Sequence, residues 1–190
     1  EYLPLILALV SLSWVPLLVR WQFLLKKNDI NIPTKNSFLI FLGGISMAIT
    51  PGHIGELIKS QLMKTSYDIP RTKTAPIIFI EKFYDLTGAI IASIIGIIVL
   101  GMDTNLIIFS TLVLFVIIFL IFYRPIFEFI LKGITKTKLF SKYSDNIVDS
   151  YEIIRNSTTA KTASISFGLS ILYWILISLA AYVILLSFGI

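Results

Sequence analysis

Four long apolar runs constrain this chain more than any other feature: Tyr2 to Val19, Pro76 to Leu100, Leu106 to Tyr123 and Ser164 to Phe188. Each has about 18 to 25 residues, and at about 1.5 Å per residue a helix of that length crosses a hydrocarbon core of roughly 30 Å. Backbone groups far from water must bond within their own segment, and the runs lack the alternation of barrel strands. The expected fold is therefore all-α, a polytopic helical membrane protein. With 56% hydrophobic and 14% charged residues among 190, and a mean hydropathy of +0.89, composition agrees. The chain opens on Glu1 inside a hydrophobic run and stops at Ile190 in another, so a fragment of a longer protein is expected. A signal peptide fits the first run poorly, because it has no basic start and no small-residue cleavage site.

Of the 16 Lys and Arg residues, all but Lys82 fall in three regions, Arg20 to Lys35, Lys59 to Lys73 and Arg124 to Lys161. The link Gly101 to Asn105 has none and carries Asp103. The positive-inside rule places the three basic regions in the cytoplasm and the link outside, as for a multi-pass plasma-membrane protein. The net charge of +5 then belongs to topology and lipid head groups rather than to nucleic acid. Arg20 and Trp21 read as an interfacial anchor pair closing the first span.

The apolar segment Phe38 to Thr50 gives only about 20 Å of helix, and both flanks are expected on the same side. It should enter and return, forming a re-entrant hairpin over about residues 38–58 that turns at Pro51–Gly52. Irregular backbone at that depth survives only inside protein or beside a wet cavity. Residues 124–162 mix charges with a stripe of Ile147, Val148, Tyr151 and Ile154. They suit amphipathic helices on the cytoplasmic face, acting chiefly in packing and anchoring.

Two clusters could carry chemistry. Glu81, Lys82 and Asp85 lie inside the span that starts at Pro76, where a charge costs several kcal/mol and usually marks a pathway. At 100° per residue Glu81, Asp85, Gly88, Ala92 and Gly96 share one face, acidic toward the cytoplasm and small further out. One negative charge is left over on that turn, and something must balance it. The bland alternative is a structural network in which Lys82 neutralises one acid. The second cluster runs from Thr50 to Lys59. A helix starting after Gly55 would aim its free N–H groups at an anion such as phosphate, although a plain turn with Glu56 complementing the helix start fits equally well. His53 is the only histidine and there is no cysteine, so thiolate and multi-histidine metal sites are excluded, as is a hydrolase arrangement. A carboxylate-only Mg²⁺ site from Glu56, Glu81 and Asp85 has little support, and no metal or cofactor is expected.

Together, TPGHIGELIKSQL and IPRTKTAPIIFIEKFYDLTG resemble the flippase-like family that includes the transmembrane region of lysylphosphatidylglycerol synthase. The resemblance is concentrated in residues 43–90. A Pro-x-x-x-Gly-Glu motif with a basic residue three positions on falls on Pro51, Gly55, Glu56 and Lys59. A Glu-Arg-x-x-Asp motif falls on Glu81, Lys82 and Asp85, and Arg71 between the two also agrees. His53 and Lys82 stand where the family commonly has arginine, which would alter head-group preference because only arginine offers a planar fork. The resemblance implies movement of an anionic phospholipid or a polyprenyl-phosphate-linked sugar between leaflets, with substrate contacts from Pro51, Gly52, His53, Gly55, Glu56, Lys59, Arg71, Glu81, Lys82 and Asp85. The soluble aminoacyl-transferase domain of the two-part synthases is absent from this sequence, so lysyl transfer to lipid is not assigned; with no catalytic constellation among the residues, no enzymatic activity is expected. The rival reading is a non-catalytic scaffold for a membrane glycosyltransferase or lipid-modifying enzyme.

Overall fold

The computed structural model describes residues 2–47, 55–99, 101, 104–122 and 144–189. Among these residues seven helices follow one another: α1 Leu3–Lys27, α2 Thr34–Ser46, α3 Ile58–Tyr67, α4 Arg71–Val99, α5 Thr104–Phe122, α6 Ser144–Ser157 and α7 Ala160–Ser187. The described residues contain no strand. Helices α1, α4 and α7 have 25, 29 and 28 residues and are apolar enough to cross a membrane. At about 1.5 Å per residue they exceed a core of roughly 30 Å, so their ends reach the head-group zone. The fourth expected span forms α5, which carries no charged residue.

Helix α1 runs antiparallel to α7 and packs most extensively against it. Asn28 at the end of α1 donates to Ser157 Oγ beside the start of α7, while Arg20 reaches Ser170 further along. Helix α4 leaves from that same end, where Ser150 of α6 bonds the Thr72 carbonyl. The exposed Lys26, Lys27, Arg71, Lys73, Arg155 and Lys161 thus gather at one end of the bundle, as the positive-inside rule requires. The main apolar core lies toward that end, built on Trp21, Leu24, Leu25, Phe41, Met63, Ile77, Ile80 and Tyr84. Outward-facing Leu, Ile and Phe on α1, α5 and α7 match a lipid solvent rather than water.

Two boundaries differ from the sequence expectation. Helix α4 starts at Arg71 and not at Pro76, which lies inside it. Asp68 turns the chain at a φ of +53°, its carboxylate held below the usual range by the Lys64 ammonium, and Pro70 supplies the break before α4. Pro76 has no N–H for the carbonyl of Thr72 four residues back, and Ser150 Oγ donates to that oxygen instead at 3.1 Å. Ser150→Ala should therefore leave this carbonyl short of a donor and cost about 1 kcal/mol. Thermal unfolding of the purified protein checks this, and an unchanged midpoint would discard the compensation.

The second difference is α1, which continues past Val19 to Lys27. Arg20 and Trp21 are buried, at 1% and 0% exposure, and are not an interfacial anchor. Lys26 and Lys27 are the basic residues at the helix end. Helices α2 and α3 pack on each other, with Leu62 against Gly43 and a hydrogen bond between Asn36 and Tyr67. The turn expected at Pro51–Gly52 lies outside the described residues, and the re-entrant path is a proposal. Of the region expected in the cytoplasm, α6 is described from residue 144 and packs on α4, burying Ile153.

Candidate functional site

Helix α4 places Glu81, Lys82 and Asp85 about 15 to 21 Å from its first residue, at the depth where neighbouring helices enclose it. Facing them, a short helical turn over residues 55–57 delivers Glu56, the first turn of α3 delivers Lys59, and α1 delivers Arg20. The six side chains form one alternating chain of opposite charges. Lys59 Nζ lies 2.6 Å from Glu81 Oε2 and 3.4 Å from Glu56 Oε2. The other Glu56 oxygen accepts from Lys82, whose ammonium also sits 3.3 Å from Asp85 Oδ2. Asp85 Oδ1 takes the Arg20 guanidinium at 2.7 Å. Three cations meet three carboxylates, so the chain is neutral when all are ionised. The negative charge left over on the α4 turn, together with that of Glu56, is balanced by Arg20 of α1 and Lys59 of α3.

Each member is held by packing as well as by charge. The Lys59 ammonium lies 4.6 Å from the Trp21 ring centroid and 5.9 Å from that of Phe41, a cation–π enclosure. Its stem passes so close to α2 that a Cβ on Gly44 would stand 2.6 Å from Lys59 Cγ; glycine is what admits it. Ser170 of α7 accepts a hydrogen bond from Arg20, and Trp174 Nε1 donates to the Asp85 carbonyl at 3.0 Å. Charges this deep are tolerable because each meets a partner; an ion buried alone would cost several kcal/mol.

The chain is graded in exposure. Arg20, Lys59 and Glu81 are enclosed, at 1%, 1% and 2%, whereas the side chains of Asp85 and Lys82 are 19% and 32% exposed. These two, with Glu56, face a cleft of about 630 Å³ whose other walls include Trp14, Ile45, Tyr173 and Trp174. Ammonium groups separate the carboxylates, an arrangement that suits ion-pair exchange better than a divalent cation.

Of the residues singled out in the sequence, Glu56, Lys59, Glu81, Lys82 and Asp85 come together, with Gly55 opening the turn that carries Glu56. Arg71 lies apart on the exposed start of α4 and bonds Gln61. Pro51, Gly52 and His53 lie outside the described residues. Sequence reading missed Arg20, Ser170 and Trp174. A pointer to Arg20 existed: Lys26 and Lys27 already supply an interfacial anchor two turns later, and the α4 acids lacked a cation. Ser170 and Trp174 stand four residues apart on one face of α7, but nothing in their own run singles them out.

Membrane-length helices wrapped around a neutral chain of buried ionic groups make this a polytopic α-helical membrane protein with an intramembrane ionic site. The model of the lysylphosphatidylglycerol synthase TM region family matches residues 1–190, and the chain belongs to that family. No curated protein and no solved structure matches it.

Proposed function

We propose that this protein moves, or helps to move, an anionic phospholipid or a lipid-linked sugar phosphate between the leaflets of the plasma membrane. The observation that carries the reading is the neutral ion chain, enclosed at its two ends, Arg20 and Glu81, and open in its middle, at Asp85 and Lys82, to a cleft with aromatic walls. Intramembrane ionisable groups facing a cavity commonly mark a pathway, and alternating pairs can exchange partners at small net cost when a charged head group enters. The family supports a lipid as the cargo. No covalent bond is made or broken in this reading. Sidedness follows the basic helix ends, which face the cytoplasm.

The test is transbilayer movement of labelled phosphatidylglycerol and of a labelled polyprenyl phosphate in proteoliposomes of the full-length protein. Wild type should move at least one of them, and a Glu81→Gln, Asp85→Asn double variant should be about tenfold slower, the scale expected when a charged contact of about 1.4 kcal/mol is lost. Asp85→Asn alone, at the rim, serves if the double variant fails to fold. The complete mutual pairing of the six charges also fits a rigid scaffold that positions a glycosyltransferase or lipid-modifying enzyme. Folded wild type that moves neither lipid would decide for that scaffold.

A further inference from the structure

We infer that Lys82 is the group that takes the phosphate of a membrane lipid, by exchanging its carboxylate partners for phosphate oxygens. This role rests on the lipid-handling reading and deepens it. The family motif also offers Lys59 for the head group, but Lys59 is shut in by Trp21, Phe41, Glu56 and Glu81. Arg20 is equally enclosed, between Asp85 and Ser170. Lys82 is the one cation of the chain with substantial exposure, at 32%, and its contact with Asp85 is loose at 3.3 Å. It stands on the wall of the cleft, beside apolar and aromatic side chains that suit the glycerol and upper acyl region of a lipid. A lysine ammonium on a four-carbon stem can swing between acceptors, which a forked guanidinium locked at two points cannot do as readily.

Charge balance favours the same residue. Lys82 is the middle cation of the chain, and each of its carboxylates has a second cation. When Lys82 turns to a phosphodiester, Glu56 keeps Lys59 and Asp85 keeps Arg20, so no buried carboxylate is orphaned. Withdrawal of Lys59 would instead strip Glu81 of the ammonium that lies 2.6 Å from it. Departure of the head group lets Lys82 return to Glu56 and restores neutrality.

The experiment is a titration of the purified full-length protein in detergent with dihexanoyl phosphatidylglycerol, followed by tryptophan fluorescence, since Trp14 and Trp174 line the cleft. Dihexanoylglycerol, which lacks phosphate, and inorganic phosphate are the comparison ligands. Lys82→Gln should weaken phosphatidylglycerol binding about tenfold, while Lys82→Arg should stay within about threefold of wild type. A Glu56→Gln, Lys82→Gln double variant removes one charge of each sign and should remain weak although folded. Wild-type affinity in that double variant would overturn the inference, because Lys82 would then serve only to neutralise Glu56. Equal dependence on Lys82 with dihexanoylglycerol, or no binding of phosphatidylglycerol by wild type, would overturn it too. Inorganic phosphate binding as tightly as the lipid would overturn the assignment to a lipid. The two readings separate cleanly: Lys82-dependent binding without transbilayer movement removes the translocation function, and movement undiminished in Lys82→Gln removes the role of Lys82.

Discussion

Replacing Lys59 with methionine is expected to destabilise the folded protein by about 3–5 kcal/mol, the cost of stranding one partner of a buried ion pair. The partner is Glu81, 2% exposed, whose Oε2 lies 2.6 Å from the lost ammonium. Methionine fills much of the space between Trp21, Phe41 and Gly44, so the loss reports charge rather than a void. A Lys59→Met, Glu81→Met double variant removes both charges and leaves Arg20, Asp85, Lys82 and Glu56 balanced. It should recover most of the loss, because a buried pair is often no better than apolar groups of similar size. Unfolding of the single and double variants in the same detergent checks this. Equal destabilisation of the two would mean that the pair acts through packing alone.

Gly88→Val should damage the contact between α4 and α7, at about 1–3 kcal/mol from overpacking. A Cβ at Gly88 would stand 2.8 Å from Ser170 Cβ and 3.1 Å from Trp174 Cδ1, and its remaining near contact, at 3.4 Å, is the backbone of Ser170, which cannot rotate aside. Helices α4 and α7 would have to separate. That separation would pull Trp174 from the carbonyl of Asp85, a member of the ionic chain, so the chain would loosen together with the packing. Gly96→Val is the control. It lies two turns further along the same face, where a Cβ would have nothing within 4 Å, and should change stability by no more than about 0.5 kcal/mol. Unfolding midpoints of both variants decide the matter; equal losses would show that the whole small-residue stripe is a helix contact.

The contrast between Gly88 and Gly96 shows where sequence reading loses its grip. Periodicity puts both on one face of α4, because the 100° step per residue is a local property of any helix. Whether a neighbour comes near depends on how α7 crosses α4, which local geometry does not specify. The same limit explains Pro76. Proline is a sound signal for a helix start, yet the break is at Pro70, because Ser150 from α6 satisfies the carbonyl that Pro76 leaves open. It explains Arg20 as well: beside Trp21 at the end of an apolar run it looks like an anchor, and only the approach of α4 reveals Asp85 at 2.7 Å.

The all-helical membrane class and the residues of the inner site on α3 and α4 are legible in the amino-acid order alone. Apolar runs of membrane length leave the backbone no other way to satisfy its hydrogen bonds, and charges within them are too costly to be incidental. Glu81, Lys82 and Asp85 could therefore be named from position, and Glu56 and Lys59 from the motif that carries the family resemblance. How their charges balance, that Arg20 completes the chain, that Lys59 is sealed in and that Lys82 faces the cleft emerge only from the packed helices. The energy of an ion pair depends on the distance between its groups and on the water excluded around them. Both quantities arise between helices distant in sequence, where no local pattern records them.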